Sequence, residues 1–225
     1  MKRAGIRKLA GDGLRITDES TLEVAVGVLA GRVNTRLVAA VNAAGRPAVG
    51  LTGADGKIGL VELAPPYRTN AGHVVQLGLV GNPVATAPPK LLSQLVDAGY
   101  TPIIASIGVT RDGQLVNVNA DALAAQLAVN LHATTLMVVG TTAGVLDIDQ
   151  RSLPRVNDED IERLVANGVI SAGMVAKLTS CRAARQGGVP NVRIIDGRTS
   201  IDVNGGTGTI IDTATVVQEK EKAKL

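Results

Sequence analysis

Hydrophobic and polar positions along the chain switch repeatedly between a helical period and short continuous apolar runs. Leu22, Val26, Leu29 and Val33 recur at helical spacing, and residues 37–44 continue the same helix until Gly45-Arg46-Pro47 breaks it. Thr17 or Asp18 is placed to cap its start, and Arg32 and Arg36 fall in its last turns, where the helix dipole favours cations. Apolar runs predict strands at 48–51, 101–107, 134–139, 192–195 and 210–211. Further helices are expected over 91–98, 122–131 and 158–167, and from the turn Ser171-Ala172-Gly173 through Gln186, stopped by Gly187-Gly188. Residues 58–63 are a candidate hairpin partner for the strand at 48–51. Residues 64–89, rich in Pro, Gly and Asn, read as an antiparallel flap with strand candidates at 72–75 and 77–80.

Strand and helix alternate from about residue 13 to the end, with no internal repeat and no obvious linker. This pattern predicts the α/β class, specifically a three-layer α/β/α sandwich with a mainly parallel open sheet. With no Trp, no Phe and only Tyr67 and Tyr100, the core must be built from Val, Leu, Ile and Ala, the material of sheets covered by helices. The chain of 225 residues is long enough for one large domain or two small ones.

Charge and composition exclude several functions. The net charge of +3 is a mild excess, its basic residues are scattered, and without stacking aromatics a nucleic-acid partner is not expected. Lys2, Arg3, Arg7 and Lys8 read as a solvated basic face. Cys181 is the only cysteine, so no internal disulfide forms, and it is read as a small core residue. His73 and His132 lie far apart without ligand spacing, which argues against zinc; His73 is read as structural. No apolar run reaches the roughly 20 residues of a membrane span, and the N-terminus lacks the apolar centre of a signal peptide. No membrane partner and a cytoplasmic location are therefore expected.

The candidate chemistry centres on residues 99–121, where a buried strand leads through the turn Arg111-Asp112-Gly113 to Asn117, Asn119 and Asp121. Spacing of two puts these polar side chains on one face of an extended segment, at the carboxyl end of a strand, where open α/β sheets build ligand sites. The same residues are equally the pattern of a turn and a helix N-cap. Arg15 stands in the loop before the first helix, and its planar fork suits a carboxylate. Residues 140–147 carry a strand into a Gly- and Thr-containing loop of the kind that takes phosphates. Lys177 lies about one turn inside a helix, against the macrodipole, a position better explained by a nearby anion. No G-x-G-x-x-G opens a helix and no G-x-x-x-x-G-K-[ST] occurs, so neither a Rossmann dehydrogenase nor a P-loop enzyme is supported.

Together these stretches resemble the amino-acid kinase family, and within it the acetylglutamate kinase branch. The matching motifs are GLRITD at 13–18, VLAGRVN at 28–34, AVGLTGADG at 48–56, PIIASIGVTRDGQLVNVNAD at 102–121, AGVLD at 143–147, GMVAK at 173–177, IIDGR at 194–198 and GTGTII at 206–211. The resemblance implies one amino-acid kinase domain with a remnant helix or linker at 1–12, a substrate-binding part at about 13–120 and a nucleotide-binding part at about 121–225. It implies transfer of the γ-phosphoryl group of ATP, with Mg²⁺, to the side-chain carboxylate of N-acetyl-L-glutamate in arginine biosynthesis, by a homodimer.

By the same resemblance, Lys177 and Asp121 are catalytic, the lysine neutralising charge and the aspartate organising the lysines. Arg15 and Asn117 bind substrate, with Asn119 beside them. Nucleotide contacts are expected from Thr141, Thr142, Ala143, Gly144, Val145 and Leu146, and from Val169, Ile170, Ser171, Ala172, Gly173, Met174 and Lys177. No protein metal ligand is assigned. The sequence departs from the family pattern in two ways. Thr141 stands where the family usually has Asp, and the Lys-x-Gly-Gly and His-Gly-Gly-Gly loops expected before residue 13 do not occur in the chain. The expectation is a misassigned start, with a truncation as the other way of losing those loops. The alternative functions are a non-catalytic binding or regulatory homologue and a kinase for a related N-acylated amino acid such as acetylaminoadipate.

Overall fold

Ahead of the first helix, β1 (Ala10–Gly11) and β2 (Leu14–Arg15) pair antiparallel, so Arg15 belongs to a short strand rather than to the expected loop. The structure is a computed structural model describing residues 10–11, 14–68, 72–198 and 208–212, and the basic residues at positions 2–8 lie outside these. It divides into two compact units, residues 1–131 and 132–225.

In the first unit Asp18, not Thr17, caps the leading helix, its carboxylate accepting the N–H of Thr21 at 2.7 Å. That helix runs through α1 (Glu19–Val26), a π-helical segment at Gly27–Val33 and α2 (Asn34–Ala43). The spacing of apolar residues predicts one uniform helix. The wider turns fall on the stretch that contains Gly27 and Gly31, the residues with the freest backbone in this helix. Over its 25 residues this is a helix long and apolar enough to cross a membrane by length and composition alone. The expectation of no such segment is corrected: Arg32 and Arg36 interrupt the run without removing the apolar character of the whole. Its inner face packs on strands of the unit, and Val28, Val33 and Leu37 remain exposed.

The chain continues through β3 (Ala48–Thr52), a 3₁₀ turn at Asp55–Lys57, β4 (Val61–Leu63), β5 (Tyr67–Arg68), β6 (Val74–Val75) and β7 (Val80–Pro83). Then follow α3 (Lys90–Asp97), β8 (Thr101–Ala105), β9 (Ile107–Val109), β10 (Leu115–Val118) and α4 (Ala120–Asn130). The apolar run at 101–107 is two strands. It breaks at Ser106, so that β8 pairs parallel with β3 while β9 joins a four-stranded sheet ordered β4-β7-β10-β9. A continuous apolar run carries no sign of which sheet each half enters.

Residues 58–63 likewise do not pair with β3; β4 pairs antiparallel with β7. β7, expected within a flap, is bonded on both sides, and only β5 and β6 form a separate hairpin. Gly81 explains the misleading composition, since a Cβ there would meet Val116 Cγ2 and Val61 Cγ2 at 2.7 Å each. A loop-like residue is what lets β7 fit inside the layer. The core around it is Ile58, Val61, Leu92, Val116, Val118, Leu123 and Leu127.

The second unit contains β11 (Thr135–Gly140), β12 (Arg155–Val156), α5 (Asp158–Ala166), α6 (Ala172–Gln186), β13 (Asn191–Asp196) and β14 (Thr209–Ile211). A capping box starts α5: Asn157 accepts the N–H of Asp160, and the Asp160 carboxylate accepts the N–H of Asn157. Its sheet is ordered β11-β13-β14-β12, with β11–β13 and β12–β14 parallel and β13–β14 antiparallel. Both units therefore hold mixed sheets, whose parallel pairs are β3–β8, β7–β10, β11–β13 and β12–β14. Leu178, Cys181 and Ala184 line the buried face of α6, and Arg182 pairs with Asp158 of α5. Cys181 is fully buried and in no disulfide.

Candidate active site

In the first unit two of the expected substrate residues, Asn117 and Asn119, lie where β10 passes into α4, while Arg15 lies in β2. Asn117 lies in β10, opposite Val80 of β7 and Ile107 of β9. Its backbone N–H donates to the Leu79 carbonyl at 2.9 Å, and its Nδ2 donates to Thr17 Oγ1 at 3.2 Å. The expected period-two face stops there. β10 ends at Val118, and Asn119 is the N-cap of α4, its Oδ1 accepting the N–H groups of Asp121 at 2.9 Å and Ala122 at 3.1 Å. Asp121 sits in the first helical turn, where the positive end of the macrodipole favours a carboxylate. Asn117 and Asp121 are half-buried and Asn119 is exposed. Of the two patterns expected for the triplet, the helix cap is present at Asn119, while Asn117 lies in the sheet.

Thr17 is the residue sequence reasoning passed over here, having weighed it only as a helix cap. It is fully buried. Its N–H donates to the Leu77 carbonyl at 2.9 Å and its carbonyl accepts from Leu79 N–H at 2.7 Å, so it bridges the segment just after Arg15 to the start of β7. Between those two contacts Gly78 has φ +71°, and a Cβ there would meet the Thr17 carbonyl oxygen at 2.4 Å. Only glycine fits this approach.

In the second unit both expected phosphate-binding stretches lie at element ends. β11 and β13 run parallel, and their carboxyl ends meet at Gly140 and Asp196, with Gly197 N–H donating to the Gly140 carbonyl at 2.9 Å. The loop after β11 is pinned from several directions. Thr142 Oγ1 donates to the Gly144 carbonyl at 2.8 Å and Ser152 Oγ to the Ala143 carbonyl at 2.6 Å. Val145 N–H donates to Thr209 Oγ1 at 2.8 Å, and Leu146 bridges to Ser152. Gly144 takes φ +111°, in the region glycine alone enters readily. Thr209 and Ser152 were not singled out by the sequence; the GTGTII motif held the signal for Thr209, while nothing local marked Ser152. Residues 205–207 of the glycine-rich stretch lie outside the described residues.

The second stretch, 169–177, turns into α6. Ser171 caps it, accepting the N–H of Met174, and Ala172 and Gly173 form its exposed first turn. Such a helix start carries partial positive charge and suits an anionic group. Lys177 is half-buried on the next turn.

Beside the loop after β11, Arg198 closes on Asp196, its Nη2 donating at 2.8 Å and its Nε at 3.0 Å, with its backbone N–H adding 2.9 Å. The side-chain hydrogen bonds from Arg198, then its backbone N–H, hold the Asp196 carboxyl down at about 2, and Arg198 is correspondingly raised. Among the described residues no cluster of three or more His, Cys, Asp or Glu could hold a metal ion.

The profile of the amino acid kinase family matches residues 2–196. Acetylglutamate kinase of Afipia carboxidovorans is 40% identical over 221 residues, covering 93% of this chain and 74% of that protein. Of solved structures, smu.665 from Streptococcus mutans UA159 superposes with a TM-score of 0.78 at 25% identity, covering 94% of this chain and 79% of the other. N-acetylglutamate synthase from Neisseria gonorrhoeae, complexed with coenzyme A and N-acetyl-glutamate, gives 0.77 at 24% identity, covering 95% of this chain and 49% of that one. With the profile matched across most of its length and a curated member so close in sequence, the chain belongs to the amino acid kinase family.

Proposed function

We propose that the chain transfers the γ-phosphoryl group of ATP to the side-chain carboxylate of N-acetyl-L-glutamate. A carboxylate oxygen forms the bond to the γ-phosphorus, the bond from that phosphorus to the β–γ bridging oxygen breaks, and an acyl phosphate and ADP result. The observation that carries this reading is the 40% identity to an acetylglutamate kinase across 93% of the chain. The chemistry suits the residues present. The acceptor carboxyl, with a pKa of about 4.3, is ionised at neutral pH, so no general base is required. What the reaction needs is in-line placement and cationic stabilisation of the transferring group.

In this reading Asn117 and Arg15 hold the acceptor, with Asn119 fixing the start of α4 beside them. Residues 141–146 and 169–174 receive the nucleotide, and Lys177 neutralises charge on the phosphoryl group. Asp121 organises catalytic lysines. Mg²⁺ arrives on the nucleotide phosphates, as is usual for an ion that keeps its waters and binds through few carboxylates. A homodimer, a cytoplasmic location and a place in arginine biosynthesis belong to the same reading.

The test is acyl-phosphate formation trapped with hydroxylamine, using the full chain, ATP and Mg²⁺, with N-acetyl-L-glutamate and its one-carbon-longer analogue acetylaminoadipate in parallel. Hydroxamate from the first acceptor in preference to the second is expected. Hydroxamate from the longer acceptor alone would change the substrate. None above background from the folded chain would overturn the kinase and leave a binding homologue.

A further inference from the structure

Thr17 presents a hydroxyl whose position backbone packing alone does not require. Its N–H and carbonyl make the bridge to Leu77 and Leu79, and any residue of the right shape would supply them. Valine would fill the same fully buried space without burying a polar atom. The hydroxyl is instead within 3.2 Å of Asn117 Nδ2, which lies 100 residues further along the chain. We infer that Thr17 is a positioning residue for the acceptor: its Oγ1 anchors the amide of Asn117 so that the remaining amide N–H is directed at the N-acylamino acid.

An amide nitrogen carries two N–H bonds, and one held by Thr17 fixes the plane of the other. The backbone bond from Asn117 to Leu79 fixes the strand, but it leaves χ1 and χ2 of the side chain to be set by the hydroxyl. Thr17 also follows Arg15 by two positions and precedes the helix cap Asp18. One buried residue thereby ties the strand carrying Arg15, the start of the long helix and the Asn117 amide into a single unit. Pre-ordering of this kind acts on substrate affinity, because a side chain already immobilised loses less freedom when the ligand binds.

The inference rests on Asn117 serving the acceptor, and the experiment separates the two. KM for N-acetyl-L-glutamate, KM for ATP, kcat and Tm are measured for the wild type, T17V, T17S and N117A. The loss of one hydrogen bond should raise the acceptor KM of T17V about fivefold to tenfold, with the ATP KM and kcat held within about twofold. T17S, which keeps the hydroxyl, should restore the acceptor KM even where its Tm is lowered. If T17V does not fold, T17C carries the same expectation with only a weak acceptor in place of the hydroxyl. An unchanged acceptor KM in T17V beside a raised one in N117A overturns this inference alone. So does a T17V defect spread equally over both substrates and kcat. An N117A enzyme with wild-type acceptor KM, or a wild type without turnover, overturns the reading of the site and this inference with it.

Discussion

Thr209 Oγ1 accepts the backbone N–H of Val145 at 2.8 Å and donates to the carbonyl of Leu153 at 2.6 Å, and Thr209 is itself fully buried. Both hydrogen-bonding capacities of one hydroxyl are thus committed to holding the loop after β11 against its returning segment. T209V keeps the shape and orphans a buried N–H and a carbonyl, a change that costs about 1–3 kcal/mol per unsatisfied group. Its Tm should fall, and its KM for ATP should rise more than its KM for the acceptor, while T209S should stay near wild type. Equal KM values in T209V and wild type would mean that the loop keeps its form without the hydroxyl. Gly144 gives an independent approach to the same contact, since a Cβ there would lie 2.4 Å from Thr209 Oγ1. G144A should therefore reproduce the T209V defect.

The Asp196–Arg198 pair makes acid stability depend on pH in a defined direction. The hydrogen bonds from Arg198 hold the folded Asp196 carboxyl at about 2, below the ordinary aspartate value of about 3.9. A depressed folded pKa gives stability that is fully present above the unfolded value and is lost as pH falls through the folded one. Tm should therefore decline between about pH 4 and about pH 2 more steeply in the wild type than in D196N. Matching declines would show that the pair is replaced by solvent at no net cost, as exposed ion pairs often are. Arg198 is largely exposed, which keeps the expected effect small.

Asn34 offers a test of how the long helix is locked to its sheet. Its Nδ2 donates to the Ile103 carbonyl at 2.7 Å and to the Leu51 carbonyl at 3.3 Å, and the residue is buried. Gly50 makes room for it, since a Cβ at that position would stand 2.2 Å from Asn34 Oδ1. N34A should cost about 1–3 kcal/mol by urea denaturation, from the two side-chain hydrogen bonds lost to the Leu51 and Ile103 carbonyls. G50A, which forces the same amide to move, should cost a similar amount, and the double variant G50A/N34A less than the sum of its parts. Strict additivity would show that the two residues do not share one interaction.

These relationships also mark where the sequence could be read and where it could not. Helix starts were legible because their chemistry is local: Asp18, Asn157 and Ser171 each bond to an N–H three residues on. The strands in 48–51, 134–139 and 192–195 were legible from apolar runs between Gly- and Pro-containing breaks. β7 was not, because a strand with Gly81 and Pro83 lacks the side chains that signal a core. Its place depends on Val61 and Val116, which local pattern does not connect to it. The split of 101–107 into β8 and β9 was hidden for the same reason, since sheet membership is decided by distant partners. At the site, the resemblance named residues by motif, but the contacts of Thr17 with Asn117 and Thr209 with Val145 span 100 and 64 positions and have no local signature.

Lys177 carries the most direct prediction about catalysis. It is half-buried on the second turn of a 15-residue helix, whose N-terminal end is capped by Ser171. If its ammonium meets charge developing on the transferring phosphoryl group, K177Q should lower kcat by about 10²–10³-fold, the usual cost of losing one preorganised electrostatic contact. Because that charge is felt mainly in the transition state, the acceptor KM should change far less than kcat. Arginine preserves the charge but changes its geometry, so K177R should recover only part of the rate. The pH profile supplies a second reading from the same proteins. With an acceptor whose pKa is about 4.3, kcat should show no acid limb from a general base between about pH 6 and about pH 8. A limb near the usual histidine range would instead require a proton acceptor that the proposed chemistry does not use. Loss of kcat in K177Q together with a flat profile is the joint result expected of an electrostatic phosphoryl-transfer site.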